Sequence, residues 1–148
     1  MISVPKLTKL EEEPMWIEVN SLVEYVYDKL SDMPEDEKWD TTSKLRSAAN
    51  NLLYCTAESL GDASPSAMEY GWGATRKYVS SLKTMYRFAV RQKFIAIEPE
   101  IMVRLDALMK QIDERVKLAY QQTIDNGNNG PDDWQKKYKL RDDKQNEG

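Results

Sequence analysis

The chain has 148 residues, a net charge of -4, and 41% hydrophobic and 31% charged residues, which suits one globular domain with a tail. It contains no histidine and one cysteine, Cys55, so histidine-based catalysis, the common histidine zinc sites and an intrachain disulfide are excluded. No apolar run approaches the ~20 residues of a membrane span, and residues 1–14 do not resemble a secretory signal. We therefore expect a cytoplasmic protein without catalytic residues, metal or cofactor.

The first half of the chain predicts an arm and two helices. Residues 1–13 are expected to form an extended arm, followed by a helix from Pro14 to about Leu30. A second helix is expected from about Asp40, where several side-chain oxygens are available as N-caps, to about Leu60. Apolar and small residues recur at helical spacing, in the first helix at Trp16, Val19, Val23, Val26 and Leu30 and in the second at Leu45, Ala48, Ala49, Leu52, Leu53, Thr56 and Leu60. The small side chains of the second set favour a close contact with a neighbouring helix.

A third helix is expected from Ser64 and Pro65, an N-cap followed by proline at the first helical position, to about Gln92. Its apolar face spans roughly 140°, wider than the ~100° of an ordinary surface helix. The helix therefore either lies centrally in the bundle or contacts another subunit with part of this face. Gly71 and Gly73 lie inside it and would allow a close helix contact.

A fourth helix is expected from Glu98 and Pro99 to about Gln122, with charged residues such as Asp106 and Asp113 on its outside. Residues 123–148 are expected to form a mobile charged tail, in which the segment 134–141 either docks on the bundle or stays disordered. Four amphipathic helices with short connections bury their apolar faces most simply as an antiparallel up-down-up-down four-helix bundle over residues 14–122. The sequence thus predicts an all-α fold with a flexible C-terminal tail.

The third helix carries the feature that points to a function, a concentrated basic face on an acidic chain. At about 100° per residue, Arg76, Lys83, Arg87 and Arg91 fall within roughly 80° of one another, and Lys77 adds to their charge. Such a face positions phosphates, binds an acidic protein, or is solvated beside acidic loops or an acidic neighbouring subunit. We predict that these five residues bind nucleic acid or a protein partner.

Four further residues are predicted to lie in an interface between subunits: Arg46, Trp72, Tyr78 and Tyr86. The three aromatic residues fall within the apolar face of the third helix, so packing in the core or in an interface is favoured over stacking on bases. Arg46 lies at the margin of the apolar arc of the second helix, where it either contacts the partner or closes an intersubunit ion pair. A ring of subunits would multiply a weak basic patch through avidity.

Several short motifs follow one another in an order found in a known family. They are Trp16, Val26-Tyr27 and Met33-Pro34, then Thr42-Ser43-Lys44-Leu45-Arg46-Ser47-Ala48-Ala49 and Thr56-Ala57-Glu58-Ser59, and finally Ser80-Ser81-Leu82 and Phe94-Ile95. Over residues 15–122 the chain resembles the small bacterial four-helix-bundle proteins first noticed in intervening sequences of ribosomal RNA genes. The accessory variability determinant of diversity-generating retroelements belongs to the same family.

This resemblance implies a ring-forming bundle, usually a homopentamer, that binds a reverse transcriptase and RNA. Such a protein supports mutagenic reverse transcription without chemistry of its own. We therefore expect a non-enzymatic, homo-oligomeric accessory protein that binds RNA, a reverse transcriptase or both. The alternative is a protein-binding adaptor of a mobile-element or defence system that does not bind nucleic acid directly.

Overall fold

Helices make up almost all of the regular structure. The computed structural model describes residues 8–61 and 65–125 of the chain. The four α-helices in these two ranges are α1 (Pro14–Leu30), α2 (Thr41–Gly61), α3 (Pro65–Arg91) and α4 (Pro99–Asp125). Short 3-10 helices at Thr8–Glu12 and Glu35–Glu37 precede α1 and α2, and these described ranges contain no strand. The predicted all-α fold is confirmed.

Prolines mark the start of three of the helices. Pro14, Pro65 and Pro99 are the first residues of α1, α3 and α4, where proline costs no hydrogen bond because the first amides of a helix have no partner inside it. The remaining helix, α2, begins at Thr41, whose hydroxyl donates to the Glu37 carboxylate at 2.9 Å. The local sequence therefore fixes each helix start without help from distant residues.

The four helices pack in chain order around one core. α2 packs against α1 and α3, and α3 also packs against α4. An ion pair of 2.7 Å between Arg104 on α4 and Glu18 on α1 joins the first helix to the last. The bundle prediction is confirmed, and the wide apolar face of α3 is explained within one chain because this helix touches two neighbours.

Two predicted boundaries are wrong. Residues Thr8–Glu12 form a 3-10 helix that packs on α1 and α2, so this part of the arm is not extended. α4 continues past its predicted end at Gln122, because Thr123 is fully buried and its hydroxyl donates to the Ala119 carbonyl at 2.9 Å. Predictions for residues 1–7, for Ser64 and for the tail from residue 126, including 134–141, lie outside the described residues.

Most of the core lies on the seams predicted from helical spacing, but Trp16 of the predicted α1 seam is only half-buried and Met15 and Leu22 lie in the core instead. Trp72 is its largest fully buried side chain, at 1% exposure. Every helix contributes fully buried apolar residues, among them Val19, Leu22, Leu52, Val79, Leu82, Leu105, Leu108 and Ile112. No helix in the described ranges is long and apolar enough to cross a bilayer.

α2 and α3 approach each other closely at Gly71. A Cβ atom added at Gly71 would lie 2.7 Å from the Ser59 Oγ, whereas one added at Gly73 would meet no atom within 4 Å. Ser59 Oγ in turn lies 3.3 Å from Thr75 Oγ1, and both side chains are buried. The close contact predicted from the two glycines is therefore confirmed at Gly71 and absent at Gly73.

Candidate nucleic-acid interface

The outward face of α3 carries basic residues and no acidic ones from Tyr70 onwards. Between Tyr70 and Lys93 the chain carries six basic residues and no carboxylate. Five of the six lie on α3, which runs as one continuous helix, so they share a surface, and the sixth, Lys93, follows the end of the helix. Ser81 and Thr84 interleave with them and donate to the carbonyls of the preceding turn, at 3.0 and 2.8 Å, so their polar groups are satisfied within α3.

Two of the predicted binding cations are bound by carboxylates of α4. The Arg76 Nε lies 2.6 Å from the Asp113 carboxylate, and Lys83 pairs with Asp106. The two basic residues are two helical turns apart, as are the two carboxylates, so the pairs form in register along antiparallel helices. Arg76 and Lys83 are therefore partly neutralised, and Asp106 and Asp113 line the α3–α4 seam rather than a free outer face. These exposed pairs contribute about 0–1 kcal/mol each to stability.

Arg76 is also exposed, but three of the predicted cations are exposed without being bound by a carboxylate: Lys77, Arg87 and Arg91. Within the described part of the chain, none of them has an ion-pair partner. Lys77 Nζ stands 5.7 Å from the centre of the Tyr78 ring, and the two arginines lie one turn apart. We call these three residues the exposed basic face.

The two arginines border a concave surface. Thr84, Arg87, Phe88, Arg91 and Gln92 line a cleft of about 530 Å³, which we call the α3 cleft. Phe88 is 44% exposed there, a large apolar side chain beside two guanidinium groups. The cleft therefore combines positive charge, a hydroxyl group and an open aromatic ring.

A second concave surface lies between α2 and α3, which we call the α2–α3 groove. Its volume is about 470 Å³, and Thr84 lines both this groove and the α3 cleft, so the two surfaces adjoin. Its lining is rich in hydroxyl groups and consists of Ser43, Lys44, Ser47, Ala48, Asn51, Tyr78, Ser80, Ser81, Thr84 and Met85. The exposed basic face thus continues into a shallow polar groove.

The four residues predicted for a subunit interface separate into two pairs. Trp72 and Tyr86 are 1% and 2% exposed, so the interior of a single chain already covers them and they are not available to another subunit. Packing within one chain therefore accounts for both aromatic residues without a second subunit. Arg46 is exposed and Tyr78 is half-buried in the α2–α3 groove, so their interface role stays a prediction.

Tyr86 holds the turn between α3 and α4 in place. Its hydroxyl accepts the Glu98 backbone amide at 3.0 Å and lies 3.3 Å from the Tyr25 hydroxyl. Glu98 pairs with Lys29 at 2.9 Å, and this ion pair raises the Lys29 pKa. Burial, and then the contact with Tyr86, raises the pKa of Tyr25 well above its usual range. This network is structural, since it joins α1 and α3 to the residue that precedes α4 and includes none of the exposed basic face.

Cys55, the single cysteine, is half-buried on α2. Burial, and then the nearby Glu58 carboxylate, raises the pKa of its thiol, which favours the unreactive protonated form at neutral pH. Residues 8–61 and 65–125 also contain no group of three or more cysteine, aspartate or glutamate side chains placed to hold a metal ion.

The sequence did not predict that Phe88 is exposed beside the basic residues, or that Asp106 and Asp113 face α3. The carboxylates could have been found from their spacing, which equals the spacing of Arg76 and Lys83 and is the signature of paired antiparallel helices. Phe88 carries no such signal, because its exposure depends on how α2 and α4 leave the outer side of α3 uncovered.

No protein-family model matches this chain, and no curated protein matches it significantly. The family resemblance of its helix motifs accordingly remains an expectation.

Proposed function

We propose that this protein is a non-enzymatic cytoplasmic accessory protein that binds RNA, alone or together with a reverse transcriptase, through the exposed basic face of α3. The observation that carries the proposal is the pair Arg87 and Arg91, exposed, one turn apart and without a carboxylate partner in the described chain. The absence of histidine and the raised pKa of the Cys55 thiol support a role without chemistry.

The physical basis is electrostatic positioning of phosphates. Arginine presents a planar fork of donors that fits phosphate oxygens, and cations on one helix face hold successive phosphates without reading sequence. If three basic side chains contact phosphates of one single strand, the logarithm of the binding constant is expected to fall with the logarithm of the salt concentration with a slope of about -2. Affinity of one chain is therefore expected to be weak and strongly salt-dependent.

The proposal includes a homo-oligomer, a pentamer by the family resemblance. Several copies would present several exposed basic faces to one RNA, and linked weak contacts add through avidity. Arg46 is exposed and is the residue proposed for the interface, whereas Tyr78 lies in the α2–α3 groove beside the exposed basic face and is left to the RNA. Light scattering of the purified protein, which gives its mass in solution, tests this part directly.

The main test compares two variants that lose the same charge. Arg87→Gln/Arg91→Gln removes the pair on α3, whereas Lys29→Gln/Arg104→Gln removes two cations of α1 and α4 that lie outside the exposed basic face and are already paired with carboxylates. In an anisotropy assay with a labelled RNA at low salt, the first variant is expected to lose at least about tenfold in affinity, or about 1.4 kcal/mol. The control is expected to bind like the unaltered protein. Equal losses in both variants would contradict the proposed site.

A second candidate function is a protein-binding adaptor that does not contact nucleic acid. The ion pairs of Arg76 and Lys83 with α4 support it, because cations of this surface already pair with carboxylates, as they would with an acidic protein. If the unaltered protein retains no RNA at low salt, while Arg87→Gln/Arg91→Gln loses a protein partner that the control variant keeps, the adaptor is the correct function.

A further inference from the structure

Phe88 is an exposed aromatic ring placed among the cations of the α3 cleft. Its side chain is 44% exposed and lines the cleft together with Arg87 and Arg91. On a helix, residues three and four apart are surface neighbours, so the ring stands beside Arg91 on one side and Thr84 on the other. An apolar ring in such surroundings gains little from folding, which leaves its flat face available for a ligand.

An aromatic ring between cations is better suited to bind single-stranded than duplex RNA. Single strands offer unstacked bases that pack on aromatic side chains while the phosphates contact basic residues. In duplex RNA the bases are stacked and paired inside the helix, and its major groove is too deep and narrow for side chains to enter. Arg87 and Arg91 could contact the phosphates of either a single strand or a duplex. Only a single strand, however, offers an unstacked base that can pack on the Phe88 ring.

The surface also offers a path for more than one nucleotide. The α2–α3 groove adjoins the cleft at Thr84, and Tyr78 lies on that groove with Lys77 beside its ring. Tyr78 and Phe88 are separated by about 15 Å along α3, the length of about four stacked nucleotides. A strand that leaves the cleft therefore finds a second aromatic side chain and a further cation along α3.

We infer that the α3 cleft binds single-stranded RNA in preference to duplex RNA, with a base stacked on Phe88 and the adjacent phosphates on Arg87 and Arg91. This inference rests on the proposed RNA-binding function and assigns the form of RNA to the same site. It also makes Phe88 a specificity-determining residue, whereas the two arginines supply affinity without regard to the form of the RNA.

The test uses the full chain and two RNAs of about 12 nucleotides per strand, one single-stranded oligouridine and one blunt duplex. Phe88→Leu keeps an apolar side chain of similar size but removes the flat ring, and Phe88→Ala removes both. Both variants are expected to lose about tenfold or more in affinity for the single strand while duplex affinity stays the same. The matched control is Tyr120→Ala on α4, since Tyr120 is 41% exposed and lies outside the cleft; it is expected to bind both RNAs unchanged.

The fluorescence of a base analogue measures the stacking directly. A single-stranded RNA that carries one 2-aminopurine is expected to lose fluorescence on binding the unaltered protein, because the probe is quenched when it stacks, and to stay bright with Phe88→Leu. If the unaltered protein binds both RNAs equally and Phe88→Leu changes neither affinity nor quenching, the inference is overturned while the proposed function stands. If the unaltered protein binds neither RNA at low salt, the proposed function and the inference fail together.

Discussion

Lys93 is held in a backbone conformation that lysine rarely adopts. Its φ is 63°, and it is the one residue other than glycine in the described ranges with a positive φ. The amide of Phe94 donates to Ala89 and that of Lys93 to Val90, both at 2.9 Å, which is the Schellman arrangement that ends a helix. Glycine usually occupies this position because it has no Cβ to crowd the backbone. The turn between α3 and α4 therefore carries local strain.

Replacing Lys93 by glycine is expected to raise the free energy of unfolding by about 1 kcal/mol, because glycine adopts a positive φ without the cost of a Cβ. Urea denaturation followed by circular dichroism measures this change through the midpoint at constant slope. Lys93→Ala is the matched control: it also removes the charge but keeps the Cβ, so no such gain is expected. A gain of equal size in Lys93→Ala would assign the effect to charge instead.

The pKa of Tyr25 predicts how the protein responds to alkali. Burial and the contact with Tyr86 raise this pKa in the folded state, so the unfolded chain releases the phenolic proton first, near pH 10. Stability is therefore complete below about pH 10 and falls as the pH rises further, by up to about 1.4 kcal/mol per pH unit for one proton. The raised pKa of Lys29 acts in the same direction.

Tyr25→Phe is expected to flatten this alkaline loss of stability, because the variant has no proton to release at that position. Free energies of unfolding of both proteins from urea titrations at about pH 9, about pH 10 and about pH 11 give the two slopes. The variant starts from a lower stability, since it lacks the hydroxyl contact with Tyr86, but its slope above about pH 10 is expected to be shallower. Identical slopes would show that Tyr25 ionises alike in both states.

At the scale of the helix, Gly71 and Gly73 test how closely α2 and α3 pack. Both lie in α3, where alanine is favoured over glycine by about 1 kcal/mol, so Gly73→Ala is expected to stabilise the fold by about that amount. Gly71→Ala is expected to destabilise by about 1 kcal/mol, because its methyl group displaces the Ser59 hydroxyl from Thr75. Thermal unfolding of the two variants measures the difference.

The Ser59→Ala background separates the steric cause from helix propensity. Without the Ser59 Oγ, the nearest atom to the new methyl group of Gly71→Ala is absent, so the substitution is expected to become neutral or stabilising. If Gly71→Ala destabilises equally in both backgrounds, the close approach of the two helices is not the cause.

Helix starts and apolar seams could be predicted because they are local properties of the sequence. Prolines at positions 14, 65 and 99 and residues at 3-4 spacing fix them without reference to a neighbour. The 3-10 helix Thr8–Glu12 and the last turn of α4 could not be predicted in this way. Both depend on packing, the first on α1 and α2 and the second on the burial of Thr123.

The candidate site was predicted only in part, because its charges depend on packing between helices as well as on local sequence. The basic residues of α3 share one face by periodicity alone, and this was visible in the sequence. Which of them are free depends on α4, whose Asp106 and Asp113 bind Lys83 and Arg76. Likewise the core position of Trp72 follows from its apolar surroundings, but its complete burial within one chain is settled only by the helices around it.

Over the described residues, basic and acidic side chains are distributed unevenly among the helices. The net charge is -4, yet α3 has no carboxylate between Tyr70 and Lys93. Carboxylates are concentrated instead on α1 and the turn that follows it, at Glu18, Glu24, Asp28, Asp32, Glu35, Asp36, Glu37 and Asp40. Because exposed charges are screened beyond about 10 Å at ordinary salt, a ligand on α3 responds mainly to the charges of α3 and α4.

This distribution predicts that α4 limits RNA affinity. Asp106→Asn/Asp113→Asn releases Lys83 and Arg76 from their ion pairs, so affinity for single-stranded RNA in about 0.1 M salt is expected to rise about tenfold. The salt slope is expected to steepen by about 0.7 for each added phosphate contact. Glu24→Gln/Asp28→Asn on α1 makes the same change in net charge outside the face shared by α3 and α4, and little effect is expected because screening at this salt weakens the action of exposed charges beyond about 10 Å. A rise of equal size in both variants would mean that overall charge, rather than the face shared by α3 and α4, attracts the RNA.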